Sequence, residues 1–223
     1  MSVLDNPAWE SLQGSHARFA EVHGQAARYR SDVAPFHALA DPRDPQAWSD
    51  LAELIAPATT VFLSHAGAVP SPGWEVERSI AGVQLVDVRL ESAPDPTLIR
   101  LGESDVPDVL DLIRRTAPGP YLQRTIELGT YLGRRADGKL VAMAGERLRP
   151  DGWTEISAVC TAPEFRGQGL ASRLVKAVAA GIRARGETPF LHTGAANTTA
   201  IRLYEHLGFT LRREVDFTAY RRV

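Results

Sequence analysis

The sequence predicts an α/β fold in which helices flank a mixed, mostly antiparallel sheet. One observation is a strand, glycine-rich turn and helix in succession: residues 153–161 alternate in polarity, two glycines follow, and apolar residues then recur at helical spacing up to Gly186. A second is Asp137-Gly138 between two apolar segments, which favours a tight hairpin and therefore an antiparallel pair. Strand and helix patterns continue to alternate along the rest of the chain.

The N-terminal residues are predicted to form a small α/β subdomain over 1–90. Apolar residues at helical spacing predict a helix within 9–30, and Asp44 followed by Pro45 predicts a capped helix that ends before Pro57. Segments rich in β-branched and aromatic residues predict three strands, at 59–64, 74–80 and 83–89.

Residues 91–96 contain two prolines and no apolar periodicity, which predicts a linker before a second domain over 97–223. That domain is predicted to contain strands at 98–101, 130–135, 139–148, 153–161, 189–193 and 210–221, and helices at 104–113, 121–128, 167–185 and 198–207. Asn197 caps the last of these helices and Gly208 ends it.

Composition excludes several classes of protein. The net charge of −2 over 223 residues, without a basic tail, argues against a nucleic-acid partner. No apolar segment is long enough to span a membrane, and no signal-peptide pattern is present, so a cytoplasmic location is expected. The single cysteine suits a reducing compartment, and the six histidines lack the spacing of a metal site, so no metal is expected.

The glycine turn before the helix at 167–185 is a candidate phosphate site. A helix start presents N–H groups without internal acceptors and partial positive charge, and two glycines let the backbone approach a diphosphate closely. Arg166 adds a cation at the turn. A Gly-x-Gly before a helix is equally typical of a tight connection without a ligand, so the turn alone leaves both interpretations open.

Two motifs in the second half resemble a known family. Arg166-x-x-Gly169-x-Ala171 fits the R/Q-x-x-G-x-G/A signature of the GNAT superfamily of acyl-CoA-dependent N-acetyltransferases, with Ala171 where the family often has glycine. Residues 197–209 resemble the family's N-x-x-A-x-x-x-Y-E-x-x-G-F segment. The resemblance covers residues 97–223 and implies the GNAT-type fold, a twisted, mostly antiparallel sheet splayed at strand 153–161 so that CoA enters beside strand 189–193.

The resemblance also implies the site residues. Backbone of the central strand would hold the pantetheine arm of acetyl-CoA and polarise the thioester, and the turn would bind the diphosphate with Arg166 at the mouth. Tyr204 would act as general acid toward the CoA sulfur, although its place on an apolar helical stripe equally suits a core tyrosine. The implied cofactor-binding residues are Val159, Cys160, Thr161, Arg166, Gly167, Gln168, Gly169, Leu170, Ala171, Ser172 and Asn197, the last of which is also explained as a helix cap.

Glu155 is the candidate general base, eleven residues before Arg166, a spacing that several acetyltransferases of this type share. A glutamate inside an apolar strand is expected to have a raised pKa, although a solvated glutamate at a strand end is the alternative and Glu146 is a rival base. Simple alternation places the Cys160 side chain on the face opposite Glu155, in apolar surroundings, so Cys160 is not expected to act as a nucleophile.

The sequence therefore predicts an enzyme that moves an acetyl group onto a primary amine by direct attack in a ternary complex. A CoA-binding sensor without turnover, and a protein or peptide N-acetyltransferase, are the alternatives. Nothing in the sequence identifies the acceptor amine, whose binding residues are expected on loops 30–37 and 117–127. Residues 1–90 are expected to complete the acceptor pocket, to form a homodimer surface, or to be a decayed counterpart of the second half.

Overall fold

Within the described residues, an eight-stranded sheet forms the centre of the fold, and a three-stranded sheet and five helices pack around it. The structure is a computed structural model and describes residues 2–65 and 67–223. The strands are β1 (Ala20–His23), β2 (Ala26–Tyr29), β3 (His37–Leu39), β4 (Thr60–Ser64), β5 (Trp74–Asp87), β6 (Ile99–Leu101), β7 (Tyr131–Ala136), β8 (Lys139–Glu146), β9 (Trp153–Thr161), β10 (Thr188–Gly194) and β11 (Phe209–Arg222). The helices are α1 (Pro7–Gln13), α2 (Pro45–Leu54), α3 (Val106–Thr116), α4 (Leu170–Ala184) and α5 (Thr198–Leu207).

The strand order in the large sheet is β4-β11-β5-β10-β9-β8-β7-β6. Strands β9 and β10 run parallel, whereas the other neighbours in this sheet are antiparallel. Helices α3 and α4 pack against β8 and β9. The predicted fold class, a mixed and mostly antiparallel sheet flanked by helices, is confirmed.

The sheet is splayed in its middle. Pairing between β9 and β10 covers residues 153–155 opposite 188–190, although both strands continue beyond those positions. Because the strands diverge after Glu155, the backbone of the second half of β9 is left facing a gap.

Elements with strong local signals lie where the sequence places them. Helix α5 covers 198–207 as predicted, with Ala200 N–H donating to Asn197 Oδ1 at 3.2 Å and Gly208 in a left-handed conformation at its end. The Asp137-Gly138 hairpin has φ values of 48° and 76°, which suit a type I′ turn. Asp44 caps α2 through the Gln46 N–H at 2.9 Å.

Four predicted elements differ from the structure. The helix predicted within 9–30 is replaced by a shorter helix at Pro7–Gln13. After it the chain forms the β1–β2 hairpin, which turns at Gly24. The Gln25 N–H in that turn donates to Asp50 Oδ2 at 2.7 Å, a long-range bond that favours the hairpin over the helix. The strands predicted at 74–80 and 83–89 form one continuous strand, and in place of a helix at 121–128 the chain turns and then forms a 3₁₀ helix at Thr125–Leu128.

The two halves of the chain share one sheet. Strands β4 and β5 come from residues 1–90, and β5 lies between β11 and β10 of the second half. Residues 91–96 thus connect two strands of the same sheet, and the division into residues 1–90 and 97–223 stays a prediction about independent folding units. A buried cluster also joins Leu4, Leu12 and Tyr29 to Leu148 and Phe190. Among the described residues, no helix combines the length and apolar character needed to cross a membrane.

Candidate active site

A cleft of about 1060 Å³ opens at the splay between β9 and β10. It extends from the start of α4 on one side to a face of β5 and β11 on the other. Tyr204 lines it, as do ten of the eleven predicted cofactor-binding residues. The ten are Val159, Cys160, Thr161, Arg166, Gly167, Gly169, Leu170, Ala171, Ser172 and Asn197. Gln168 and Glu155 are not part of the lining.

The glycine turn leaves open space and free amides at one end of the cleft. Gly167 and Gly169 have φ values of 77° and 73°, and a Cβ placed on either would meet no atom within 4 Å. Helix α4 makes its first bond from Arg173 N–H to Gly169 O at 3.1 Å, so the amides of Leu170, Ala171 and Ser172 have no intrahelical acceptor. This arrangement suits an anion, because the amides and the helix dipole present positive charge to the cleft.

A bulge at Ala158 interrupts β9 where the cleft begins. Ser157 is opposite Gly145 and Cys160 is opposite Met143, so one extra residue is accommodated between the two pairs. Ala158 has a φ of 53°, in the left-handed region. The extra residue shifts the alternation, and Cys160 shares a face with Ser157 and Glu155 rather than facing away as predicted.

Cys160 is nevertheless buried, with 7% of its surface exposed, and burial raises the pKa of its thiol to about 11. The thiol is therefore protonated at neutral pH, which agrees with the expectation that it does not act as a nucleophile.

Tyr204 lies on α5 with its ring packed edge-on against Phe209, the ring centroids 6.1 Å apart. Burial raises the pKa of its hydroxyl to about 12, so the group is a proton donor at neutral pH. Tyr204 is both a core residue, with 7% of its surface exposed, and part of the cleft lining. Its position therefore combines core packing with a place in the cleft wall, and its role as general acid stays a prediction.

Glu155 is fully buried and its carboxylate is held on several sides. It accepts two hydrogen bonds from Arg147, each at 2.8 Å, one from the Leu148 N–H at 3.3 Å, and pairs with His192 Nδ1 at 2.8 Å. Burial alone would raise its pKa, but Arg147 and His192 outweigh burial and lower it. The expectation of a raised pKa is therefore wrong, because the sequence gives no sign of the arginine opposite.

His192 connects Glu155 to the cleft and to the N-terminal segment. Its Nε2 is 3.0 Å from Gln84 Nε2, and Gln84 also donates to Leu4 O at 2.9 Å and accepts from Arg212 at 2.8 Å. Because the Gln84 amide donates to His192 Nε2, the neutral ring carries its proton on Nδ1, which donates to Glu155. Both ring nitrogens are occupied, so His192 presents no free base to the cleft.

Glu146, the rival candidate base, is also buried away from the cleft lining. It pairs with Arg185 at 3.1 Å and accepts the Thr130 N–H at 3.2 Å. Among the described residues, no aspartate or glutamate lines the cleft. The described residues also contain no cluster of three or more His, Cys, Asp or Glu side chains that could hold a metal.

The far end of the cleft, which we call the acceptor end, is formed by Phe36, Phe62, Arg78, Ile80 and Phe217. The predicted loops contribute Pro35, Phe36 and 117–120 with Leu122, but the strand residues were not predicted. Period-2 alternation could have found them, because Arg78, Ile80 and Gln84 share one face of β5. Residues before position 90 thus form part of the cleft wall.

Comparison with known proteins identifies close relatives. The family model described as FR47-like protein matches residues 131–218. The crystal structure of a GNAT-family protein from Novosphingobium aromaticivorans is 40% identical, covers 100% of both chains and superposes with a TM-score of 0.91.

Two further matches are more limited. A stretch of 69 residues is 48% identical to mycothiol acetyltransferase from Thermobispora bispora, so the match covers 30% of this chain and 23% of that curated relative. The GCN5-related N-acetyltransferase from Kribbella flavida is 16% identical over 97% of this chain and 95% of its own, with a TM-score of 0.64, and shares the fold.

Proposed function

Because this chain belongs to the GNAT family of acetyltransferases, we propose that it transfers an acetyl group from acetyl-CoA to a primary amine by direct attack in a ternary complex. The observation that carries the proposal is one cleft with the open start of α4 at one end, a buried tyrosine in its wall, and a pocket of aromatic and aliphatic side chains with two arginines at the other end. These three parts suit the diphosphate of acetyl-CoA, its sulfur and the acceptor amine, in that order.

The CoA end would bind the diphosphate through the amides from Gly167 to Ser172, with Arg166 as a flanking cation. Gln168 lies within this turn but does not line the cleft, so its predicted part in binding rests on the family resemblance alone. The pantetheine arm would pair with the exposed backbone of Val159, Cys160 and Thr161, as an added strand does. A backbone N–H next to the bulge at Ala158 would polarise the thioester carbonyl.

In the reaction, the neutral amine attacks the thioester carbon, a C–N bond forms and the C–S bond breaks. Tyr204 gives its proton to the departing thiolate and recovers one that the amine releases. Its high pKa suits this role, because the hydroxyl stays protonated until the thiolate develops.

The Glu155 carboxylate would act through its neighbours rather than on the amine. It holds His192 and Arg147, both of which line the cleft, in fixed orientations. We propose that Glu155 is a positioning residue and that the ammonium form of the acceptor gives its proton to water before the attack, because no carboxylate of the described chain lines the cleft.

Substitution of the glycine turn tests CoA binding. Gly167→Ala adds a Cβ at a φ of 77°, and Gly152→Ala, on a turn outside the cleft, adds one at 72°, both without a neighbouring atom within 4 Å. Both variants should lose a similar stability of about 1 kcal/mol. Calorimetric titration should show acetyl-CoA binding weakened roughly tenfold in Gly167→Ala alone. Equal affinity in the two variants, or no binding by the unmodified protein, would refute the proposal.

A further inference from the structure

The charged side chains that line the acceptor end of the cleft are all positive. Its charged lining residues are arginines, Arg78 and Arg147, and the described chain places no carboxylate beside them in the lining. Arg147 is paired with Glu155 and its guanidinium lies 4.8 Å above the Phe36 ring. The Arg78 side chain is exposed and has no hydrogen-bond or ion-pair partner among the described residues.

Aromatic and aliphatic side chains surround Arg78. It lies opposite Ala219 on β11, and Phe62 of β4 is opposite Ala219 in turn. The next pair on the same face is Ile80 opposite Phe217. Phe62 is 36% exposed and Ile80 is 46% exposed, so both present apolar surface to the open cleft.

The register also fixes a separation between Arg78 and the splay. Gly82 of β5 is opposite Gly194 of β10, which lines the cleft four residues beyond the last pair between β9 and β10. Arg78 is four residues further along β5, or about 14 Å at roughly 3.4 Å per residue. Ile80 and its β11 partner Phe217 lie between these two positions.

From these features we infer that the acceptor is a small primary amine with an apolar body and an anionic group, such as a carboxylate, at its far end. The amine would lie at the splay, the apolar body over Ile80 and Phe217, and the anion on Arg78. A diamine or polyamine would place its second cation against an unpaired arginine, with no carboxylate in the described lining to receive it. The inference rests on the proposed acetyl transfer and specifies its substrate class.

Three probes share an eight-carbon chain with an alkyl amine at the reacting end and differ in the group at the far end. They are aminooctanoate, octylamine and diaminooctane, which end in a carboxylate, a methyl group and a second amine. With acetyl-CoA and release of CoA thiol as the readout, kcat/KM should fall in that order. Arg78→Glu should lower kcat/KM for aminooctanoate roughly tenfold or more and raise it for diaminooctane. Arg100→Glu, on the distant edge strand β6 and also exposed, is the matched control and should change neither.

Binding provides a second readout that needs no turnover. Calorimetric titration of aminooctanoate into the protein with CoA present should show an affinity roughly tenfold weaker in Arg78→Glu and intermediate in Arg78→Gln. The inference is overturned if the three probes react and bind equally, if diaminooctane or a lysine-rich peptide is preferred, or if Arg78→Glu behaves as Arg100→Glu. Failure of the proposed function would look different, because acetyl-CoA would then not bind, or would bind without release of CoA thiol in the presence of any of the amines.

Discussion

Replacing Glu155 by glutamine should test whether this buried carboxylate is structural or catalytic. The substitution keeps the size of the side chain but leaves Arg147, whose side chain is 14% exposed, without its counter-charge. Breaking a buried ion pair by removing one partner costs about 3–5 kcal/mol. Since 1 kcal/mol shifts Tm by roughly 2–4 °C in a chain of this size, Glu155→Gln should lower Tm by about 10 °C.

The double variant Arg147→Met with Glu155→Gln supplies the matched control. Removing both charges eliminates the unpaired guanidinium, so most of the lost stability should return, and a double-mutant cycle would give the coupling energy. Because the Glu155 pKa is below its usual value of 4.5, the pair stabilises the fold above that pH, and the contribution is lost as pH falls through the folded pKa. The stability difference between unmodified protein and Glu155→Gln should therefore shrink in acid.

Activity separates the two roles. Measured well below Tm, kcat of Glu155→Gln should fall less than tenfold if Glu155 positions its neighbours. A general base contributes about 10²–10⁴-fold, so a base would show a larger loss that the double variant does not restore. A Glu155→Gln protein that melts like the unmodified one but loses more than a hundredfold in kcat would refute our reasoning.

Three other predictions concern the tyrosine, the acceptor and acid stability. Tyr204→Phe should lower kcat about 100-fold and leave acetyl-CoA affinity unchanged in calorimetry. Tyr131 is the matched control, because it lies outside the cleft and its buried hydroxyl has no hydrogen-bond partner among the described residues. Tyr131→Phe should therefore alter neither kcat nor affinity. The pH dependence of kcat/KM should follow the acceptor, so an α-amine with a pKa near ~8 and an alkyl amine near ~10.4 should give inflections about two units apart; one shared inflection would indicate an enzyme base. Burial lowers the pKa of His16 from 6.5 to about 4, so the unfolded chain binds the extra proton and the free energy of unfolding should decrease by roughly 3 kcal/mol as pH falls across that interval. Urea unfolding of His16→Gln should show a flatter profile, and an identical slope in both proteins would contradict this.

Local signals predicted several helix ends, turns and strands of the fold well. The cap at Asn197, the stop at Gly208 and the paired turn residues Asp137-Gly138 act within a few residues of themselves, so the sequence is enough to place them. The alternating strand at 153–161 is likewise a local pattern.

Long-range contacts account for what the sequence could not show. The pKa of Glu155 depends on Arg147 across the strand pair and on His192, 37 residues away. The bulge that turns Cys160 onto the Glu155 face arises from an unequal residue count between β8 and β9, which neither strand reveals alone. The acceptor end combines strands from both halves of the chain, so no single window of sequence contains it.

The position of β11 between β4 and β5 affects how the protein is made. Strands β4 and β5 leave the ribosome long before β11, the strand that hydrogen-bonds to both of them. Until β11 is synthesised, the edge of β5 that it occupies is unpaired and open to other chains. Loss of β11 would therefore expose unpaired strand edges and favour aggregation, and the acceptor wall cannot assemble before β11 has left the ribosome.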